Sequence, residues 1–155
     1  MRGYAAAVLV RREIVLPCRR EEAWRVLVDW ERQAEWMLDA DAVRVVSDQR
    51  EGVGVRLAVR TRLFGIPAFT EPVEVTAWDP PGELRIRHGG PVAGEGAWLL
   101  EEVEGGTRFA WTECIALAVP LVGDLAAAAY APVMRWLMGR AMRGLRTYVV
   151  ASGPS

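Results

Sequence analysis

The sequence predicts an α+β protein in which a seven-stranded antiparallel sheet covers the apolar face of one long C-terminal helix. The middle of the chain alternates apolar and polar residues with a period of two, as half-buried antiparallel strands do. Residues 131–150 instead repeat apolar side chains at three- and four-residue spacing, which indicates an amphipathic helix. Two short helical segments follow the first strand directly, so the strand–helix alternation typical of parallel sheets is missing.

The first elements are a strand and two short helices. Residues 7–16 read AVLVRREIVL and predict a strand that Pro17 ends. A helix is expected next, because apolar residues recur at helical spacing: Ala23, Trp24, Leu27 and Val28, with Trp30 as a further candidate. A second short helix is expected over 31–37.

Six further strands are expected, separated by turns rich in glycine, proline and aspartate. Their predicted ranges are 43–47, 55–64, 69–78, 83–88, 94–103 and 107–119. The glycine-rich stretch 89–96 has no helix after it, so we interpret it as a turn and not as a dinucleotide-binding motif. Glu104-Gly105-Gly106 joins the last two strands and is typical of a hairpin.

The last helix is expected to bury one face against the sheet. Seven side chains share that face on a helical projection: Met134, Leu137, Met138, Ala141, Leu145, Tyr148 and Val149. Arg135, Arg143 and Arg146 lie opposite, with Arg140 at the margin. Pro132 suits the first turn of a helix, so the helix is predicted to begin near residue 131, and 120–131 is predicted to be an apolar loop.

The apolar run 115–138 is long enough to be considered as a membrane span. Pro120, Gly123, Asp124 and Pro132 interrupt it, and its start continues an evident strand. A soluble protein is therefore expected, with at most transient contact between the 120–131 loop and a membrane.

Length and charge limit the classes of function. A chain of 155 residues suits one domain, 1–155, with a single core. A formal net charge of −1 gives no electrostatic reason to expect a nucleic-acid partner. Two cysteines are too few for a disulfide scaffold, and 1–10 lacks a convincing secretory signal. We therefore expect a cytoplasmic protein with reduced thiols.

Missing residue types exclude several kinds of chemistry. All nineteen basic residues are arginines, which excludes Schiff-base chemistry, pyridoxal phosphate attachment and a phosphate-loop lysine. His88 is the sole histidine and there are three serines, so a Ser-His-Asp triad is disfavoured. No close spacing of histidine and cysteine indicates a metal site. No cofactor is therefore expected.

Four phrases occur in order along the chain: Pro17 before EEAWRVLVDWERQAEWM (21–37), EGVG (51–54), AWDPPGEL (77–84) and WLLEEVEGGTRFAW (98–111). With the long last helix, they resemble the START-like, or SRPBCC, superfamily and its polyketide cyclase/dehydrase branch over about 8–150. The resemblance implies a helix-grip fold with a cavity for apolar ligands between sheet and helix. No catalytic motif is shared across this superfamily, so the resemblance implies no catalytic residue here.

Three polar residues are candidates for the inward face of the sheet, because each is in phase with apolar neighbours along its strand: Glu71, His88 and Glu113. A carboxylate among aromatic rings is expected to have a raised pKa and to be suited to acid–base chemistry. Each residue also has a simpler interpretation. His88, beside two glycines, can lie in solvent at a strand end, and Glu113 can pair with an arginine or be exposed.

Seven tryptophans are a large share for a chain of this length, and flat rings suit a pocket for planar or isoprenoid ligands. Trp36, Trp98 and Trp111 are those we expect at the cavity. Met134 and Met138 would supply adaptable lining from the last helix. Ordinary core packing would explain the same spacing.

Two functions stay open from the sequence. The first is the binding or carrying of a hydrophobic small molecule such as a lipid, an isoprenoid or a polyketide-like compound. The second is a polyketide cyclase/aromatase or dehydratase with Glu113 and His88 as proton movers. The sparse polar residues on the inward faces favour the binding protein. A homodimer is compatible with the sequence, which does not determine the oligomeric state.

Overall fold

The computed structural model describes residues 7–37, 39–63, 65–90, 92–117 and 123–153. Within these ranges there are seven strands, two α-helices and one 3₁₀ helix. In chain order these are β1 (Ala7–Leu16), α1 (Arg20–Leu27), the 3₁₀ helix Trp30–Glu35, β2 (Ala40–Val45), β3 (Arg56–Leu63), β4 (Ile66–Asp79), β5 (Glu83–His88), β6 (Val92–Val103), β7 (Gly106–Leu117) and α2 (Gly123–Ala151).

The strands form one antiparallel sheet in the order β1-β7-β6-β5-β4-β3-β2. Strands β2 to β7 therefore follow each other as neighbours, and β1 pairs along its whole length with residues 107–116 of β7. The sheet curls around α2, which packs chiefly on β1, while α1 lies against β6 and β7. The predicted fold class, an α+β helix-grip fold with two short helices after the first strand, is confirmed.

Alternation along the strands produces the buried face of the sheet. On β7 the side chains of Phe109, Trp111, Glu113 and Ile115 are all buried. On β3 the residue Leu57 is buried while its neighbour Arg56 is exposed. The inward face of the sheet and the apolar face of α2 together form one core.

Helix α2 is longer than predicted. It begins at Gly123, so most of the segment predicted as a loop (120–131) is helical, and Pro132 lies inside the helix. The alanine-rich stretch before Pro132 has the highest helix propensity, which offsets the hydrogen bond that proline cannot donate. Residues 120–122 lie outside the described ranges.

The predicted apolar face of α2 is buried or half-buried throughout, and the four arginines are exposed. Met142 is also buried, although the projection did not include it. Within the described ranges, no helix combines the length and the apolar character needed to cross a membrane. Contact of 120–131 with a membrane stays a prediction.

Several strand ends differ from the predicted ones. Strand β2 begins three residues earlier than predicted, and β4 begins at Ile66 instead of residue 69. Strand β6 begins at Val92, two residues before the predicted strand 94–103, so the part of 89–96 from Val92 onward is strand and the turn interpretation was wrong there. Gly94 and Gly96 both have a structural reason to be there, since a Cβ on either one would overlap atoms of β7.

Candidate functional site

A cavity of about 120 Å³ lies between the sheet and α2. Strands β2 to β7, the 3₁₀ helix and α2 all contribute to its wall, so elements as far apart in the chain as the 3₁₀ helix and α2 meet here. A cavity in this position is what the helix-grip resemblance implies.

Aromatic rings and methionines form much of the wall. Trp98 of β6 and Trp111 of β7 both line the cavity, with ring centroids 6.0 Å apart and planes at 84°. Such an edge-to-face pair is a preferred geometry for aromatic rings. Met134 and Met138 of α2 line the cavity as well. Most of the surface offered to a ligand is therefore apolar.

Trp36 is not among the residues that line the cavity. It is 1% exposed, and its ring centroid lies 6.3 Å from that of Trp98. It packs beside a cavity wall residue and serves the core. Trp30, which the sequence analysis did not place at the cavity, lines it instead.

The polar part of the wall is a row of three side chains from three strands. Glu71 of β4, His88 of β5 and Glu113 of β7 all line the cavity, with side chains that are 12%, 11% and 5% exposed. His88 Nε2 lies 3.0 Å from Glu113 Oε2, and Nδ1 lies 3.4 Å from Glu71 Oε2. The indole N–H of Trp111 donates to the other oxygen of Glu113 at 2.7 Å. The imidazole is thus held between two carboxylates.

Gly96 makes the contact between Glu113 and His88 possible. Strand β6 runs between their strands, and Gly96 is paired with both Glu113 and Ile86. A Cβ at this position would lie 2.7 and 2.9 Å from the two carboxylate oxygens of Glu113. The carboxylate therefore occupies the space above β6 that any other residue would fill.

The two carboxylates keep His88 charged. Burial lowers the pKa of the imidazole, but the contacts with Glu113 and then Glu71 outweigh this and raise it to about 10. Near neutral pH the ring is therefore an imidazolium, and both of its nitrogens carry protons.

Asp39 is a fourth ionisable group at the cavity. It lies in the turn before β2, and burial together with the charges of Glu71 and Glu113 raises the pKa of its carboxyl to about 6. The backbone carbonyl of Asp39 accepts a hydrogen bond of 2.6 Å from the N–H of Arg62. The next acidic residue, Asp41, pairs with both Arg60 and Arg62. The turn is thus fastened to β3.

Tyr130 also lines the cavity, from the first half of α2. Burial, followed by the charges of Asp39, Glu71 and Glu113, raises the pKa of its phenol. The hydroxyl is therefore neutral near pH 7 and lies close to the acidic part of the wall.

Seven of the eight predicted site residues line the cavity: Glu71, His88, Trp98, Trp111, Glu113, Met134 and Met138. Their part in ligand binding stays a prediction. Asp39 and Tyr130 were missed because one lies in a turn and the other in the segment predicted as a loop. Among the described residues, no group of three or more histidine, cysteine, aspartate or glutamate side chains is arranged to hold a metal ion.

The family model for "Polyketide cyclase / dehydrase and lipid transport" matches residues 7–150, which is nearly the whole chain. The chain belongs to this family. That description covers both catalysts and carriers of hydrophobic small molecules, so membership in the polyketide cyclase/dehydrase and lipid transport family supports either role and does not distinguish them. A search of curated proteins found no significant match.

Solved structures show the same fold as this family member at low sequence identity. TTHA0849 from Thermus thermophilus is 23% identical, with a TM-score of 0.77 over 96% of this chain and 100% of that chain. The ZhuI aromatase/cyclase from Streptomyces sp. R1128 is 15% identical, with a TM-score of 0.72 over 95% and 93%. The di-domain ARO/CYC StfQ of the steffimycin biosynthetic pathway is 12% identical, with a TM-score of 0.75 over 94% of this chain and 51% of that one.

Proposed function

We propose that residues 1–155 act as a single binding domain that holds a hydrophobic small molecule in the cavity between the sheet and α2. The observation that carries this proposal is the wall itself, in which tryptophan and methionine side chains surround a small group of polar residues. Mostly apolar walls with a few placed polar groups are typical of small-molecule sites. The family supports the same class of ligand.

The size of the cavity limits the ligand. At about 120 Å³ it is smaller than the roughly 300–1,000 Å³ of most ligand pockets. It is close to an engineered cavity of about 150 Å³ that binds benzene. A single ring with a short substituent fits this volume, whereas a multi-ring polyketide or an isoprenoid chain would have to widen it.

The state of the polar groups supports binding over catalysis. His88 is charged near neutral pH, so it does not offer the free base that proton abstraction requires. Glu113 already accepts from Trp111 and faces His88, so its oxygens are engaged. These two residues serve a binding site better than they serve as the proton movers of a cyclase.

Calorimetric titration with 2-phenylethanol, a single ring with one short polar arm, tests the proposal. We expect saturable binding with a Kd between about 10 µM and 1 mM, because few heavy atoms are available to contribute affinity. Leu137→Trp should abolish it, since Leu137 lines the cavity and is half-buried, and a larger side chain there reduces the space for a ligand.

Thr147→Trp is the matched control, because Thr147 is exposed on the same helix. It should bind like the wild type. Absence of binding by the wild type, or equal binding by both tryptophan variants, would contradict the proposed site.

A cyclase or dehydratase is the second candidate. Asp39 favours it, because a carboxyl with a pKa of about 6 at the wall of the cavity can exchange protons near neutral pH. A catalyst of this kind should turn over a polyketide-like substrate and lose about 10²–10⁴-fold in rate on Asp39→Asn. We expect no turnover by the wild type, and turnover that collapses in this variant would establish the enzyme instead.

A further inference from the structure

The cavity wall carries more negative than positive charge. Three acidic residues line it, Asp39, Glu71 and Glu113, and His88 is the sole cation among the described lining residues. With the acids as carboxylates and the imidazole protonated, the wall has a net charge of −2. Buried charges without a counter-charge are costly, so a site of this composition favours a partner that brings positive charge.

The carboxylates differ in how fully they are engaged. Glu113 accepts from Trp111 at 2.7 Å and faces His88 at 3.0 Å. Glu71 Oε2 is buried and forms an ion pair with His88 Nδ1 at 3.4 Å, but neither of these two atoms has a hydrogen-bond partner among the described residues. Asp39 takes part in no ion pair found within the described ranges. Glu71 therefore keeps an oxygen that can accept a hydrogen bond from a ligand, and Asp39 is a carboxyl of the wall with no cation beside it among the described side chains.

Aromatic rings stand around the same space. Trp98 and Trp111 contribute from adjacent strands, and Trp30 from the 3₁₀ helix. Indole faces attract organic cations, and more so where water is excluded. Carboxylates and indole rings that line one small cavity together suit a cationic nitrogen attached to an apolar group.

We propose that the ligand of this cavity is a small organic ammonium ion, with an apolar ring among the tryptophans and methionines and its charged nitrogen against Glu71. The inference rests on the proposed function and narrows its ligand class. A neutral hydroxyl would satisfy one acceptor but leave the net charge in place. A carboxylate would add a third uncompensated negative charge. A cation both donates to Glu71 and offsets the charge.

Three ligands of matched shape test the inference by calorimetry at pH 7 and low salt. They are 2-phenylethylamine, 2-phenylethanol and 3-phenylpropionate, and the primary amine is protonated at this pH. The amine should bind wild-type protein about tenfold more tightly than the alcohol, and the carboxylate more weakly than the alcohol. Glu71→Gln keeps the shape of the side chain and should bring the amine-to-alcohol ratio close to one.

Glu74→Gln is the matched control on the same strand. Glu74 has an exposed carboxylate that pairs with Arg87, and it does not line the cavity. This variant should keep the tenfold preference. Asp39→Asn gives a second variant that reduces the preference, should Glu71→Gln prove poorly folded by circular dichroism.

The outcomes separate this inference from the proposed function. Binding of the alcohol without a preference for the amine overturns the ammonium ligand and leaves the proposed function in place. A tenfold preference for the amine over the alcohol that persists in both Glu71→Gln and Asp39→Asn would also contradict the proposed ammonium ligand. Absence of binding by all three compounds contradicts the proposed function and the inference with it.

Discussion

His88 is held as a cation by its neighbours, and this state has a defined effect on folding. A pKa raised from 6.5 to about 10 means that the folded protein keeps a proton which the unfolded chain releases. The stabilisation is fully present below pH 6.5 and is lost as the pH rises through about 10. Because the chain has one histidine, its imidazole resonances report on this site alone.

Gly96→Ala should lower the pKa of His88. The added methyl group takes the place of the Glu113 carboxylate, which is the flexible end of a side chain and can move away without unfolding the sheet. The imidazole then loses its nearest counter-charge, and we expect its pKa to fall by one or more, as it should in Glu113→Gln. Titration of the histidine resonances by NMR measures both variants. An unchanged pKa of His88 in Gly96→Ala would show that this glycine does not position Glu113. Ala97→Ser, one residue along β6, is the control and should leave the pKa of His88 unchanged.

Asp39→Asn should stabilise the protein at neutral pH. The folded-state pKa is raised from 3.8 to about 6, so ionisation opposes folding, and stability falls as the pH rises through 6. Removing the charge should recover up to roughly 3 kcal/mol at pH 8 and less at pH 5. Urea unfolding at the two pH values tests this. Asp41→Asn should instead destabilise, because Asp41 pairs with Arg60 and Arg62; a loss of stability in Asp39→Asn at pH 8 would contradict the raised pKa.

At this scale the sequence was informative where a strand imposed its period. Glu71, His88 and Glu113 were predicted to face inward because strand side chains alternate strictly between two faces. Asp39 lies in a turn, where no period applies. Gly96 has no side chain to place, and its role depends on two other strands that pass beside it. Asp39 could therefore not be assigned to the cavity from a strand period, and the role of Gly96 could not be recognised without the strand pairing.

At the scale of elements, α2 shows how local signals can conflict. Pro132 predicted a helix start, whereas the alanines before it favour a helix that continues through it. Packing of the helix on the sheet decides between the two, and it cannot be read from a window of sequence. The buried face was easier to predict, since a helical period sustained over several turns leaves little ambiguity.

Leu145→Asp tests how α2 is packed. Leu145 is fully buried, so a carboxylate there should cost about 3–5 kcal/mol and lower the melting temperature by about 10 °C. Arg143→Asp, two residues away on the exposed face, should cost less than about 1 kcal/mol. Thermal melts of the two variants provide the comparison. Similar melting temperatures would be incompatible with the packing described above.

At the scale of the whole molecule, fold and family followed from patterns spread over the chain. The strand order needs no long crossover between β2 and β7, because each of these strands pairs with the next. The short turns between these strands therefore predicted that each strand pairs with the next one in the chain. The cavity is different in kind. Its volume and net charge depend on which side chains from many separate elements lie next to each other. The pattern of apolar and polar residues along the sequence predicts neither quantity.

The row Glu71–His88–Glu113 can also be seen as a cross-link. It joins β4, β5 and β7 by side chains, over a sheet already joined by backbone hydrogen bonds. Both ion pairs of this cross-link exist only while the imidazole of His88 is protonated. Adding a ligand cation beside Glu71 would compete for the same negative charge and loosen the link. The strength of the side-chain contacts between β4, β5 and β7 therefore depends on which ligand occupies the cavity beside them.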